Sequence, residues 1–219
     1  MLILNVPFTE KDQAKKMGAR WNPEIKKWYI NDSANRDDFE RWLPRTEDVE
    51  DVNAIVMKNI YVIEGKRQCW KCKKETPVIG IGIKDVKGLK DLADEVVLDG
   101  MIHIFAPSSV DLLPHNFVDY LQKQHNLKMK KSQTTNKTYL GNCCTYCHSL
   151  QGDFFLFEEV DSPFNYYYDV NVAKNLVVYK IPVTVDIPIH LDSWNFYMSA
   201  STPIVLENIA TVINVNLEL

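Results

Sequence analysis

The spacing of apolar residues along the first part of the chain predicts a compact βαββα unit. Apolar side chains alternate over residues 2–6, which indicates a strand. A short helix should follow to about Met17, with Thr9 as its N-cap and with Gly18 at the position of a left-handed C-cap. Two apolar runs separated by a turn then predict a β-hairpin over 20–30.

A second helix, capped by Ser33 and ended by Pro44, completes this unit of residues 1–45. Because so small a domain buries little surface, we expect its large aromatic side chains to form the core. The tryptophans concerned are Trp21, Trp28 and Trp42.

The middle of the chain, residues 54–160, alternates between strand-like and helical patterns. The predicted elements are strands at 60–63 and 78–83, a helical pattern at 89–97, a strand at 101–105, a helix opening near Pro114, a loop at 128–136 and a strand at 152–157. We expect residues 84–126 to form an α/β insertion.

The last part, residues 161–219, is β-rich. Candidate strands lie at 177–179, 183–187, 195–198 and 211–215, separated by Pro182, Pro188 and Pro203. Such prolines suit edges and turns, so we expect a small sandwich or an extension of another sheet. The predicted fold class is α+β with three parts.

The distribution of charged residues indicates which part of the chain could bind nucleic acid. The chain carries a net charge of −4, and residues 153–219 hold only two Lys/Arg against nine Asp/Glu. The last third is therefore a poor phosphate-binding surface, and a nucleic-acid contact should lie in the first two thirds. No apolar run approaches the roughly 20 residues of a membrane span. The first residues lack a secretory signal pattern, so we expect a cytoplasmic, reducing location without membrane contact.

All five cysteines lie in two short motifs, Cys69-Trp70-Lys71-Cys72 and Cys143-Cys144-Thr145-Tyr146-Cys147. Two C-x-x-C motifs supply the four thiolates of a tetrahedral structural zinc, and a reducing compartment favours metal binding over disulfides. The expected Zn²⁺ ligands are Cys69, Cys72, Cys144 and Cys147. Cys143 is spare, and His148 is an alternative ligand, although adjacent residues rarely bind one metal well.

Two other interpretations of the cysteines remain open. The thiols can be buried clusters without a metal, or Cys69 and Cys72 can form a redox pair. Redox C-x-x-C motifs normally open a helix, which lowers the thiol pKa, whereas a turn and a strand follow Cys72. Four cysteines leave no open metal position, and no other set of residues forms a catalytic motif. We therefore expect a protein that is not an enzyme.

Residues 3–44 carry a specific pattern of motifs. They read Asn5-Val6-Pro7-Phe8, Glu10-Lys11-Asp12, Gly18-Ala19-Arg20-Trp21 and Lys27-Trp28-Tyr29-Ile30 in order. This stretch resembles a short uncharacterised domain of plasmid-transfer primases and other mobile-element proteins. The resemblance covers about a fifth of the chain and implies a role beside nucleic-acid enzymes. The primase catalytic part has no counterpart here, so the resemblance does not imply primase activity.

The cysteine region is similar to zinc-ribbon regions of uncharacterised bacterial proteins. Those regions carry Asn-x-Cys-x-x-Cys, which corresponds to Asn142, Cys144 and Cys147. The similarity implies that Cys143 is not a ligand.

Two functions follow as hypotheses. The first is a zinc-binding, non-catalytic accessory protein that contacts DNA or RNA through the N-terminal domain and the zinc ribbon. The basic residues around the first knuckle and at 128–131 would extend a surface of cations and stacking rings near the N-terminus. The residues of that N-terminal surface are Lys11, Lys15, Lys16, Arg20, Trp21, Lys26, Lys27, Trp28 and Tyr29. The same lysines can equally form an ordinary solvated face. The alternative is a protein-interaction module whose contact surface is the aromatic segment from Phe164 to Tyr168 in the C-terminal β region.

Overall fold

The computed structural model describes residues 1–31, 36–43, 52–89, 100–167, 169–191 and 204–219. The strands are β1 (Leu2–Leu4), β2 (Arg20–Asn22), β3 (Lys27–Ile30), β4 (Ala54–Val56), β5 (Asn59–Gln68), β6 (Glu75–Ile83), β7 (Val86–Gly88), β8 (His103–Phe105), β9 (Val110–Asp111), β10 (Leu127–Lys131), β11 (Thr138–Asn142), β12 (Val177–Pro182), β13 (Ile187–Leu191) and β14 (Thr211–Asn214). The α-helices are α1 (Lys11–Lys16), α2 (His115–Gln124), α3 (Asp153–Phe157) and α4 (Val170–Lys174). Short 3-10 helices lie at Phe8–Glu10, Arg36–Trp42, Pro107–Ser109 and Leu206–Asn208.

The mixture of helices and strands agrees with the expected fold class. Within the described ranges, no helix is long and apolar enough to cross a membrane. Several predicted features lie outside the described residues, namely Ser33, Pro44, most of the helical pattern at 89–97 and the strand at 195–198.

The N-terminal unit follows the predicted order of elements. Its antiparallel sheet has the order β1-β3-β2, and α1 lies between β1 and β2 in the chain. Gly18 has a φ of +105°, which confirms the expected turn after the helix. The N-cap prediction is wrong, because Thr9 lies inside the 3-10 helix and no side chain caps α1. The closing element, Arg36–Trp42, is a 3-10 helix.

The expected tryptophan core is only partly correct. Trp42 is buried and Trp28 is half-buried, but Trp21 is 49% exposed. β2 is an edge strand of its sheet, so a side chain on it has neighbours on one side only. The ring of Trp21 packs edge to face on Trp28, with 5.7 Å between ring centroids.

Two larger sheets form most of the rest of the described structure, beside the two-stranded sheet of β10 and β11. The five-stranded sheet has the order β14-β12-β5-β6-β8, and the four-stranded sheet has the order β7-β4-β13-β9. β12 pairs antiparallel with β5 and parallel with β14, while β13 pairs antiparallel with β4 and β9. The β-rich C-terminal part therefore extends the sheets of the middle region, which was one of the two expected arrangements.

The first half of β5, residues 60–63, is buried on both faces, which explains its continuous apolar run. Ile60 and Val62 contribute to a core that also contains residues of β4, β13 and α2. Tyr61 and Ile63 point to a second core with α3 and α4. On the neighbouring β6, a Cβ on Gly82 would lie 2.7 Å from Ile102 Cγ2, so glycine permits this close packing.

The N-terminal unit shares its core with the rest of the chain. Ile55 of β4 and Leu89, which follows β7, belong to the same buried cluster as Leu2 and Trp42. The Asp186 amide also donates a hydrogen bond of 2.7 Å to the Met1 carbonyl. A unit of about 45 residues buries too little surface to be very stable alone, and these contacts enlarge its core.

Three predicted elements differ from the structure. The strand expected at 152–157 is helix α3, and the loop expected at 128–136 contains strand β10, which forms a hairpin with β11. The strand expected at 183–187 begins at Ile187. The alternating or polar pattern was misleading at these places because the segments are short and lie at the surface of the sheets.

Candidate metal centre

The first cysteine motif forms the turn of a long β-hairpin. β5 and β6 pair antiparallel along their whole length, and residues 69–74 connect them. The Cys69 amide donates to the Lys74 carbonyl at 2.9 Å, and the Lys73 amide donates to the Cys69 carbonyl at 2.9 Å. Lys73 has a φ of +62°, the left-handed conformation that closes the turn after the second cysteine.

The second motif repeats this conformation. The Cys144 amide donates to the Ser149 carbonyl at 2.9 Å, and the His148 amide donates to the Cys144 carbonyl at 3.0 Å. His148 has a φ of +57°, matching the position of Lys73 in the first turn. This second turn follows β11 and is closed by a single bridge between Cys143 and Leu150, not by a ladder. The two turns thus form a matched pair of cysteine knuckles.

Two buried polar side chains attach the second knuckle to β6. The Asn142 side chain accepts a hydrogen bond of 2.7 Å from the Ile79 amide and donates one of 2.9 Å to its carbonyl. The Asn142 side chain therefore makes the two hydrogen bonds with the Ile79 backbone that a neighbouring strand would otherwise make. The Thr76 hydroxyl accepts a hydrogen bond of 3.1 Å from the Thr145 amide. Because β6 begins at the first knuckle, both contacts bring the two knuckles together.

The four predicted sulfur ligands meet at this junction. The Sγ atoms of Cys69 and Cys147 are 3.6 Å apart, and those of Cys72 and Cys144 are 3.7 Å apart. All four sulfurs lie within 4.8 Å of one another. A tetrahedral zinc with Zn–S bonds of about 2.3 Å requires sulfurs about 3.8 Å apart. The cluster is therefore consistent with a zinc site.

The thiols of this cluster differ in acidity. Burial opposes ionisation of Cys69, but hydrogen bonds from the Ser149 hydroxyl and two backbone amides outweigh it and lower its pKa to about 5. The same hydroxyl and the Ser149 amide lower the pKa of Cys147. A backbone amide favours the Cys72 thiolate, yet burial and the neighbouring sulfurs raise its pKa to about 11. Four thiolates this close together repel one another, and a bound cation would offset that repulsion.

Sequence reasoning missed two residues that support the sulfurs. The Ser149 hydroxyl lies 3.4 Å from Cys69 Sγ and 3.0 Å from Cys147 Sγ. The buried Gln151 side chain donates to Cys69 Sγ at 3.5 Å and to the Ser149 carbonyl at 2.9 Å. Their position in the sequence could have identified them. Ser149 and Gln151 lie two and four residues after Cys147, close enough to donate hydrogen bonds to the thiolates.

Cys143 lies outside the cluster of four sulfurs. Its side chain is buried, with Sγ 3.7 Å from the Gly141 carbonyl oxygen. Burial raises the pKa of this thiol. Cys143 is thus buried like a small apolar core residue. This agrees with the similarity to zinc-ribbon regions, which implied that Cys143 is not a ligand.

The predicted nucleic-acid residues lie on the N-terminal unit, away from the cysteines. The exposed residues are Lys15, Lys16, Arg20, Trp21, Lys26 and Lys27, and the half-buried ones are Lys11, Trp28 and Tyr29. In the β2–β3 pairing, Arg20 stands opposite Tyr29. β5, about 30 Å long at roughly 3.3 Å per residue, leads from the region of Ile55 to the first knuckle.

The aromatic segment proposed as a protein contact lies mostly in the interior. Phe164 and Tyr166 are buried, and the Tyr166 hydroxyl donates to the Ile102 carbonyl at 2.5 Å. Tyr167 is half-buried, and Tyr168 lies outside the described residues. The described part of this segment packs against the second core, with little surface left for a partner.

The N-terminal unit also has recognisable relatives. Residues 1–44 form a DUF5710 domain, a family described as a domain of unknown function. This DUF5710 domain is similar to two Escherichia coli proteins named DNA primase TraC, with 41% and 44% identity over 39 residues. The matched stretch covers 18% of this chain and only 3% and 4% of the two primases. No solved structure matches the chain.

Proposed function

We propose that the protein is a zinc-binding, non-catalytic accessory protein that binds nucleic acid through the DUF5710 domain and the cysteine knuckles. The observation that carries the proposal is the meeting of four cysteine sulfurs in two knuckles of the same conformation. The sulfur separations of 3.6 and 3.7 Å are close to those around a tetrahedral zinc. The knuckles would form a zinc-ribbon-like centre with a long insertion between its two halves.

A zinc ion at this centre would have a structural role. Four thiolates complete its coordination, so no position is left for a water or a substrate. The ion would connect the β5–β6 hairpin to the segment after β11, which the chain joins only through some 70 residues. A structural zinc contributes its binding free energy to folding, because the unfolded chain has no preformed site.

The nucleic-acid part of the proposal depends on charge and on the primase similarity. Lys15, Lys16 and Arg20 are exposed and make no ion pair with any described residue. Phosphate groups are natural partners for such cations. The similar stretch occurs in proteins named as DNA primases, which act on nucleic acid.

Metal content tests the zinc part. Elemental analysis of the purified protein should give one zinc per chain, and thiol titration should find about four thiols that react only after chelation. A protein without metal, or with a disulfide between two of the four cysteines, would contradict the proposal. In the second case, the redox interpretation of the cysteines would be correct.

Charge reversal tests the nucleic-acid part. Fluorescence anisotropy with labelled DNA and RNA over a salt series should show affinity that falls steeply with salt. Arg20→Glu should weaken binding several-fold at an unchanged melting temperature, because Arg20 is exposed. Lys174→Glu makes the same charge change on an exposed position of α4 and should have a much smaller effect. Equal affinities for both variants would remove Arg20 from the site.

A further inference from the structure

Trp70 lies in the middle of the first knuckle and is both exposed and held in place. Its side chain is 61% exposed. The indole N–H donates a hydrogen bond of 2.8 Å to the Leu150 carbonyl, which belongs to the second knuckle. A large apolar ring that is fixed in solvent offers a contact surface without an entropy cost on binding.

A cleft of about 470 Å³ opens beside this ring. Phe155 of α3, which is 56% exposed, also lines it. Gly152, Leu156 and five polar side chains complete the lining, and the polar ones are Lys66, Arg67, Gln68, Gln151 and Asp161. The cleft thus combines two aromatic rings with cations and amides, a set that can contact both the face and the edge of a planar heterocycle.

Two basic stretches of the chain lie at the knuckles next to the cleft, whereas the segment that carries Phe155 is acidic. Residues 65–74 contain five Lys/Arg and no Asp/Glu, and residues 126–142 contain four Lys and no Asp/Glu. Both cations that line the cleft have acidic partners, since Lys66 pairs with Glu75 at 3.3 Å and Arg67 with Asp161 at 3.0 Å. Lys71 and Lys73 make no ion pair with any described residue. Lys74 lies over the Tyr146 ring, 4.7 Å from its centroid. The second stretch forms the β10–β11 hairpin, which ends at the second knuckle.

We propose that the cleft between Trp70 and Phe155 binds a base of single-stranded nucleic acid. The base would stack on the exposed rings, and the phosphates would follow the unpaired lysines of the knuckle and the hairpin. In a duplex the base faces are stacked on each other and cannot reach the rings, so single strands should bind better. This inference rests on the proposed nucleic-acid function and adds the strand type and the cleft at the knuckles that binds the base.

The surrounding charge favours this ligand over a protein segment. Aromatic rings alone would suit a peptide as well as a base. The cations next to the rings, several of them without an acidic partner, are complementary to a polyanion. Binding of a protein segment remains an outcome that the experiment distinguishes.

Fluorescence anisotropy with a labelled oligothymidylate, its oligouridylate counterpart and a duplex of the same length tests the proposal. We expect roughly tenfold tighter binding to the single strands than to the duplex, because only they offer free base faces. Trp70→Ala and Phe155→Ala should each weaken single-strand binding about tenfold, in line with the loss of one stacking contact. Trp70→Phe keeps a ring and should retain most of the affinity.

Phe154→Ala is the matched control. Phe154 adjoins Phe155, is 55% exposed and does not line the cleft, and its ring packs edge to face on the Phe155 ring with 5.6 Å between centroids. This variant should bind within about twofold of the unaltered protein, since it removes no stacking contact in the cleft. Metal content is measured for every variant. If Trp70→Ala loses its metal, weaker binding by that variant cannot be assigned to the missing ring. Phe155→Ala and Trp70→Phe then test the cleft.

The possible failures are distinguishable. If the unaltered protein binds none of the three nucleic acids, both the proposed function and this inference are wrong. If it binds and Arg20→Glu weakens binding, while the Trp70 and Phe155 variants bind normally, the inference alone is wrong. Equal losses for Phe154→Ala and Phe155→Ala would indicate a general aromatic surface of the kind that protein partners use, which would also overturn the base-binding cleft.

Discussion

Cys143→Ser and Cys144→Ser each replace a sulfur by an oxygen at neighbouring positions. Only the Cys144 sulfur belongs to the cluster of four. Cys144 Sγ lies 3.7 Å from Cys72 Sγ. Cys143 Sγ lies 3.7 Å from the Gly141 carbonyl oxygen. Both side chains are almost completely buried, so a difference between the variants reports on the cluster and not on exposure.

The expected magnitudes are far apart. Structural zinc sites contribute on the order of 10–16 kcal/mol of binding free energy in small peptides, and whole domains are stable by only about 5–15 kcal/mol. Losing one of four ligands should therefore unfold the knuckle region in Cys144→Ser. In Cys143→Ser, the new hydroxyl can donate to the Gly141 carbonyl. We expect a cost of about 1–2 kcal/mol for burying the more polar group.

Thermal melts followed by circular dichroism, with and without a chelator, measure both effects. The unaltered protein and Cys143→Ser should melt at similar temperatures, carry equal zinc and lose stability on chelation. Cys144→Ser should contain little zinc and should not respond to the chelator. If Cys143→Ser were as damaging as Cys144→Ser, or if chelation changed neither melt, the assignment of the four ligands would be wrong.

Two further predictions concern backbone conformation and a buried carboxyl. His148 is exposed with a φ of +57°, so His148→Gly should keep the zinc and stay within about 1 kcal/mol of the unaltered protein, whereas His148→Val should lose about 1–3 kcal/mol. Zinc loss in the glycine variant would show that the imidazole is a ligand. Burial outweighs a hydrogen bond from the Ser108 hydroxyl and raises the pKa of Asp153 to about 6 from its ordinary 3.8. The folded protein then holds this proton more tightly than the unfolded chain, so the stability contributed by protonated Asp153 is complete below about pH 4 and is lost as the pH rises through 6. Asp153→Asn should therefore raise the free energy of unfolding by about 1–3 kcal/mol at pH 7.5 and leave it nearly unchanged at pH 4. Chemical denaturation at both pH values measures this difference. An equal effect at the two pH values would contradict the raised pKa of Asp153.

Some elements could be predicted because their signals are local. The turn at Gly18 needs a left-handed backbone, and glycine adopts it freely. The helix opening near Pro114 was confirmed as α2, since its apolar residues follow one helical face over ten residues. β5 and β6 were recognisable from apolar runs on either side of the first cysteine motif.

Other elements could not be predicted because their signals depend on neighbours. The aromatic run at 152–157 is typical of a strand, yet it forms α3 with Leu156 buried and Phe155 exposed beside the knuckle. Trp21 is exposed because β2 lies at a sheet edge, which depends on strand order and not on residue type. The burial of Tyr166 likewise depends on which strands cover the segment.

By itself, the amino-acid sequence determined the two cysteine knuckles, because C-x-x-C spacing and the residues after it set the turn through local hydrogen bonds. It also determined the relationship of residues 1–44 to a known domain. Only the tertiary structure decided that the knuckles meet, because contacts such as those between Asn142 and Ile79 join segments 63 residues apart. It also decided which aromatic rings surround the Trp70 cleft, since Phe155 comes from a helix far along the chain. Long-range contacts of this kind depend on the packing of the whole fold, which no local pattern contains.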